Sequence, residues 1–325
     1  MGIPEIITYL SAPMQRVMGL VQDSLESDVP LLNMTNRSLL DNLGKRIRPM
    51  LSLLCAGACG GIVPDSIQFA AASELLHNAT LLHDDVVDGA QQRRGRPTVM
   101  SILSGPASVL IGDYWLVKAM QCILDAEHYS ERVIRMFAKT LSDLAEGEML
   151  QMEKASRCDT VEEDYLRIIY SKTASLFEAA AMAGAVSAGA PEPLVQSVGD
   201  YARAMGIAFQ IKDDMFDYSD GGQVGKPVGI DLLEQKITLP LLCALEKVSP
   251  EEAGGIRRKV GQIGDHPDLA GEVRTFVWEH GGMEDAGIKL ENYIEKAVFC
   301  LSALPESTEK TYLAKLARFV GGRDY

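Results

Sequence analysis

The stretch QFAAASELLHNATLLHDDVVD, residues 68–88, decides how the rest of the chain is read. Apolar residues recur three and four positions apart in a run rich in Ala and Leu, which predicts a buried or amphipathic helix. Tyr201 to Ile211 repeats the pattern, and alternating β-branched strands are hard to find. The fold class expected is therefore all-α. Helix breaks are expected at Gly60-Gly61 with Pro64, Pro191 with Pro193, Gly221-Gly222, Gly254-Gly255 and Gly281-Gly282. Each is a turn or short loop, so residues 1–325 read as a single domain without a linker. Small residues dominate Thr173 to Ala190, which predicts closely packed helices, and Glu178 inside that segment weighs against a membrane span.

Both apolar runs lead into the same acidic form: DDVVD supplies Asp84, Asp85 and Asp88, and DDMFD supplies Asp213, Asp214 and Asp217. On a helix, i and i+4 share a face, so Asp84 sits over Asp88 and Asp213 over Asp217. Like charges stacked in this way repel unless a cation joins them. Hard oxygen ligands at that spacing suit Mg²⁺, which keeps several waters and bridges one or two carboxylates to phosphates. One such cluster alone is more often a solvated helix end; two copies, each preceded by apolar helix, point to function.

Cations complement the acids. GKRIRP supplies Lys45, Arg46 and Arg48, with Gly44 allowing close backbone approach, and RRGRP supplies Arg93, Arg94 and Arg96. Lys226 and Lys236 follow the second acidic cluster. Arg forks match phosphate oxygens two at a time, whereas Lys acts as a point charge. Singly, Arg46, Arg96 or Lys212 reads as an ordinary surface charge. Jointly, two carboxylate faces and this many cations imply two anionic substrates. His77, Lys172, Thr173 and Gln210 are polar groups inside apolar helix, each needing a partner or a wet cavity.

The rest of the composition narrows the class. There are 31 Lys and Arg against 45 Asp and Glu, a formal charge of -14, which argues against nonspecific binding to nucleic acid or an anionic bilayer. Anionic ligands must be captured locally. The six cysteines are scattered, with neither the CxxC pairs of a zinc site nor the density of a disulfide scaffold, and fit a reducing cytoplasm. No signal-peptide pattern or transmembrane run is evident, so a soluble protein is expected.

GKRIRP, HNATLLHDDVVD, RRGRPT, VLIGDY, LAEGEMLQ, YSKTASLFEAA, FQIKDDMFDY and GKPVGIDLLEQKITLPLL resemble, in order, the motifs of the trans-polyprenyl diphosphate synthases, with the closest likeness to bacterial octaprenyl-type, long-chain members. The resemblance runs from about Leu31 to Arg323. It implies a helical bundle around a deep central cavity, a homodimer, several Mg²⁺ ions per active site, and at most transient membrane contact for product release. It assigns Lys45, Arg48, His77 and Arg94 to isopentenyl diphosphate, and Arg93, Lys172, Thr173, Gln210, Lys226 and Lys236 to the allylic diphosphate, with Gly44 counted among the substrate-binding residues. Asp84, Asp88 and Asp213 are the main magnesium ligands it implies, within a set that includes Asp85, Asp214 and Asp217. Ile230 departs from the pattern, since relatives often carry another acid before Asp231.

The family mechanism is ionisation of the allylic diphosphate, attack by the double bond of isopentenyl diphosphate, and proton loss. Ala79 and Thr80 stand one turn below Asp84, where short-chain members commonly carry an aromatic block, so a long-chain product is expected. Trp115, Met120 and Ile123 are candidates for the cavity floor. The alternatives are a short-chain farnesyl or geranylgeranyl synthase, a class I terpene cyclase, a di-iron bundle suggested by Glu74 and His77, and a noncatalytic partner subunit.

Overall fold

Residues 68–88 fall within one helix, Pro64–Val87, of 24 residues. Pro64 opens it, because proline's missing N–H costs nothing in a first turn. The computed structural model describes residues 3–219 and 229–322. Their regular structure is helical apart from one small antiparallel hairpin, Gln92–Arg93 paired with Arg96–Pro97. The all-α expectation holds.

The Cα positions divide into two compact units. The first comprises Met1–Ala138, Ala179–Gly199 and Leu301–Leu313. In its core the Pro64–Val87 helix lies against Gly105–Leu124 and Ile47–Cys59, burying Leu51, Leu54, Phe69, Leu75, Trp115 and Ile123. Gly112 makes the first contact close, since a Cβ there would lie 2.4 Å from His83 Nε2. The Trp115 indole donates to Asn36 Oδ1 at 2.9 Å, and Asn36 donates to the Leu25 carbonyl at 2.8 Å, so the polar edge of this core is satisfied. Gly105–Leu124 is long and apolar enough to cross a membrane by length and composition. Its Trp115, Ala119 and Ile123 are core residues of the unit.

The second unit comprises Lys139–Glu178, Asp200–Cys300 and Ala314–Tyr325. Here the helix Glu162–Ile169 runs into a π-helical turn, Tyr170–Ala174, before Ser175–Ser187 resumes α geometry. Two glycines make room for the wider turn. A Cβ on Gly206 would lie 2.6 Å from Ala174 Cα, and one on Gly147 would lie 2.4 Å from Ser171 Cβ. Leu239–Leu245, Leu269–Glu279 and Gly282–Cys300 supply the rest of the unit's core.

One expected break is wrong. Gly254-Gly255 lies inside the helix Pro250–Gln262, which Ser249 caps by accepting from the Glu252 N–H at 3.3 Å. Each glycine costs a helix roughly 1 kcal/mol. The cap and the buried Ile256 and Val260 offset that cost. Gly221-Gly222 lies outside the described residues.

Candidate active site

In the first unit the Pro64–Val87 helix terminates on its acids. Asp84 is half-buried and Asp88 exposed, while Asp85 is buried and accepts from Arg93 Nε at 2.7 Å. Burial pushes the Asp85 carboxyl up, and the Arg93 charge opposes that. Arg93 comes from the hairpin, whose turn residues Arg94 and Gly95 both have positive φ, 53° and 73°. This pair of left-handed residues is the two-residue turn that matches strand twist. It carries the Arg94 guanidinium back over Gly44, where a Cβ would lie 2.5 Å from Nη1, and Arg94 donates to the Asn42 carbonyl at 2.8 Å. GKRIRP and RRGRP, separate in sequence, are thus one cluster, and the close approach Gly44 permits is that of Arg94.

Arg46, itself left-handed at φ 52°, opens the helix Ile47–Cys59 that carries Arg48. Desolvation lowers the Arg48 pKa to about 10, with Glu74 opposing and Arg94 adding to the drop. Glu74 is only 1% exposed and accepts from Asn78 at 3.2 Å. The di-iron alternative used Glu74 as half of an iron motif; here burial raises its carboxyl, and Arg48, Asn78, Arg46 and Arg94 oppose that rise. His77 is held well below its usual pKa by burial and by Arg48, Arg94 and Arg93, so its imidazole is neutral. Lys45 is exposed. Ala79 and Thr80 are buried, and the Thr80 hydroxyl donates to the His77 carbonyl at 2.8 Å. Trp115 and Ile123 are core residues, and Met120 is half-buried.

In the second unit the π turn presents Lys172 and Thr173 from consecutive positions, as such turns often do at functional sites. Thr173 Oγ1 donates to Gln210 Oε1 at 2.8 Å, and Gln210 Nε2 donates to Asp214 Oδ1 at 2.8 Å. The Tyr165 hydroxyl donates to the other oxygen of Asp214 at 2.7 Å. Burial raises Asp214 well above the carboxylate range, with Asp231 adding to the rise, and these two donors favour its charged form. Lys172 Nζ pairs with Glu148 at 2.5 Å and donates to Gln151 at 3.2 Å.

Asp217 accepts backbone N–H bonds from Gly229, Ile230 and Asp231 at 2.9 to 3.1 Å. Position 230, where the side chain departs from the family pattern, therefore contributes its backbone. Asp231 is pushed up to about 6 by burial and by Asp217, against the pull of Lys236. Lys236 pairs with Glu234. Lys172, Gln210, Asp214, Asp231 and Lys236 line a cavity of about 110 Å³. Lys226 lies outside the described residues. Sequence reasoning missed Tyr165, Glu148 and Gln151. The signal for the last two was present, since LAEGEMLQ puts an acid and an amide three apart on one helical face.

Among the described residues, no three His, Cys, Asp or Glu side chains converge as a ready-made metal cage. Oxygen-only donors in ones and twos fit Mg²⁺, which is characteristically held by one or two carboxylates together with substrate phosphates.

A family model for polyprenyl synthetase matches residues 29–274. The chain belongs to the polyprenyl synthetase family. Octaprenyl diphosphate synthase of Haemophilus influenzae is 39% identical over 326 residues, covering 100% of this chain and 98% of that protein. Among solved structures of the family, a decaprenyl diphosphate synthase from Rhodobacter capsulatus superposes with a TM-score of 0.91 at 35% identity, covering 98% of each chain. A polyprenyl synthase from Caulobacter crescentus, complexed with calcium and isoprenyl diphosphate, gives 0.91 at 34% identity, covering 100% of this chain and 99% of that one. This polyprenyl synthetase is accordingly an all-α prenyltransferase.

Proposed function

We propose that the enzyme adds isopentenyl units to an allylic diphosphate until a long all-trans polyprenyl diphosphate, of the kind used for quinone side chains, is formed. The observation that carries this reading is common to both acidic motifs. In each, the middle aspartate is buried and held by protein donors, while the first stands less buried. On this reading Asp84, Asp88 and Asp213 would hold a Mg²⁺–diphosphate, and Asp85, Asp214 and Asp217 fix the helix ends that carry them.

Gly44, Lys45, Arg48, His77 and Arg94 hold isopentenyl diphosphate; His77, neutral and among arginines, serves as a hydrogen-bonding group. Arg93, Lys172, Thr173, Gln210, Lys226 and Lys236 receive the allylic diphosphate. Mg²⁺, several ions per site, supplies charge neutralisation for the departing diphosphate. Lys172 stabilises the leaving group, and the Thr173 hydroxyl, oriented by Gln210, sets its dipole beside the developing allylic cation. The double bond of isopentenyl diphosphate attacks, and the released diphosphate takes the proton. Apolar walls exclude water from the cation.

The small residues Ala79 and Thr80 leave the tail a path below Asp84, and the octaprenyl and decaprenyl names of the relatives agree with a long product. One synthase domain spanning residues 1–325, a cytoplasmic location and a homodimer complete the reading; six free cysteines accord with a reducing compartment. The test is incubation with farnesyl diphosphate, labelled isopentenyl diphosphate and Mg²⁺, followed by chromatography. Long polyprenyl products are expected. A C15 to C20 end product would refute the length assignment, and a cyclised hydrocarbon the reaction itself.

A further inference from the structure

The first unit contains a larger cavity, about 370 Å³, on a different flank of the Pro64–Val87 helix. That helix contributes Asn78, Leu81, Leu82 and Asp85 to it, and the hairpin contributes Arg93, Arg94 and Arg96, so the cavity adjoins the diphosphate-binding cluster and shares two of its arginines. At 100° per residue the helix positions centre about 90° around the axis from His77, Asp84 and Asp88. The cavity body is apolar, formed by Leu39, Leu81, Leu82, Val99 and Leu103, and its volume is in the range of small-molecule sites. At one side stands the hairpin.

The hairpin's three arginines differ in what they already do. Arg93 is tied to Asp85 and Arg94 to the Asn42 carbonyl. Arg96 is exposed, and its guanidinium has, among the described residues, neither a hydrogen bond nor an ion pair. An uncommitted guanidinium beside an apolar cavity, in a chain of formal charge -14, calls for a ligand with an anionic head and an apolar tail. Met34 and Ile102, which also line the cavity, are each 64% exposed. They continue the apolar lining outward.

We infer that this cavity is a second, non-catalytic site for a prenyl diphosphate, with the phosphates on Arg96 and the head-proximal part of the tail among Leu39, Leu81 and Leu103. The inference rests on the proposed function, because that reaction produces this amphiphile on the enzyme itself. Occupation would brace the hairpin that carries Arg93 and Arg94, so product bound here feeds back on substrate capture. The site's own carboxylate, Asp85, is neutralised by Arg93, so this binding needs no divalent ion.

The experiment is calorimetric titration of the full chain with a non-ionisable geranylgeranyl thiodiphosphate, with Mg²⁺ and with EDTA. Two sites per chain are expected with Mg²⁺ and one with EDTA. Arg96→Glu and Leu103→Trp should each weaken the EDTA-resistant site roughly tenfold or more, the scale of a lost charge-assisted hydrogen bond. Initial turnover should stay within about twofold. Geranylgeraniol alone should fail to bind in EDTA, and inorganic diphosphate, which the metal-free cations of the isopentenyl diphosphate subsite can hold, should neither displace the EDTA-resistant thiodiphosphate nor respond to Arg96→Glu.

No EDTA-resistant binding would overturn the inference, as would EDTA-resistant binding that both variants leave intact. Sedimentation with phosphatidylglycerol vesicles that Arg96→Glu abolishes would assign the surface to lipid instead. A change of oligomeric state in Leu103→Trp would assign it to a second copy of the chain. Prenyl transfer measured on the same preparations separates the two readings: turnover with one site per chain refutes only the second site, whereas absent turnover refutes the proposed reaction.

Discussion

DDVVD and DDMFD are interchangeable as strings, yet the protein uses their last aspartates in opposite ways. Asp88 ends its helix exposed, whereas Asp217 is half-buried and gathers three backbone N–H groups from residues 229–231. One stands exposed at its helix end; the other ties down a chain segment. The middle aspartates agree in being buried but differ in partner: Asp85 is matched by a full charge on Arg93, and Asp214 only by neutral donors, Tyr165 and Gln210. A motif match thus identifies where the carboxylates are without saying which are ligands and which are scaffold.

The largest expected effect tests what the motifs share. Asp84→Ala and Asp213→Ala should each cut turnover by ~10³-fold or more, the cost of losing transition-state charge stabilisation. Thermal stability without ligand should be equal or higher, because removing one of two repelling carboxylates relieves the free enzyme. Steady-state kinetics and a melting curve check both, and turnover near wild type for either variant at saturating Mg²⁺ breaks the equivalence of the two motifs.

The next experiment concerns the residues one turn before each motif. Ala79 and Thr80 precede Asp84 by five and four positions; Ala208 and Phe209 precede Asp213, and Phe209 stacks against Phe177 with ring centroids 5.6 Å apart. The aromatic ring belongs to the second motif alone. Ala79→Tyr should place one at the first and shorten the product to farnesyl or geranylgeranyl diphosphate while condensation continues. Product chromatography decides, and an unchanged distribution removes Ala79 from the path of the tail.

The difference between Asp88 and Asp217 is sharpened by a matched pair of substitutions. Asp217→Asn keeps one acceptor oxygen and loses the charge that three N–H groups share, which should cost about 1–3 kcal/mol of stability. Asp88→Asn should leave the melting temperature equal or slightly higher, since it too removes one of two repelling carboxylates, and should lower Mg²⁺-dependent turnover. Equal melting curves for the two variants would erase the distinction.

The helices, both acidic motifs and most cations were legible in the sequence because each depends on local order: apolar spacing, i to i+4 stacking, adjacent arginines. What escaped depends on neighbours far along the chain. The π turn at Tyr170–Ala174 fits only because Gly147 and Gly206 stand against it. Tyr165 reads as one more aromatic until Asp214 is beside it, 49 positions later. The hairpin at 92–97 lacks β-branched strands and Asn-Gly, so no strand signal announced it. Gly254-Gly255 misled in the other direction, since tertiary burial of Ile256 and Val260 overrode a local breaker.

The smallest predicted effect lies beside the first motif. His77 titrates well below 6.5 in the folded protein, so below pH 6.5 the unfolded chain binds a proton that the native state does not. The stability contributed by the neutral ring is present above that pH and is lost as pH falls. Between pH 7.5 and 5.5 the wild type should lose up to ~1 kcal/mol more than His77→Gln. Chemical denaturation at the two pH values measures the difference, and parallel losses would mean that His77 charges in place.

Arg94 holds a left-handed backbone that Gly, Asn or Asp would occupy with less strain, at a cost of about 1 kcal/mol. Any procedure that optimises this chain for thermostability alone will therefore choose Gly or Asn at position 94. If Arg94 holds isopentenyl diphosphate as proposed, the redesigned protein would melt later and grip that substrate less well, so the residue to shield from stability-driven sequence design is one whose backbone argues for replacement.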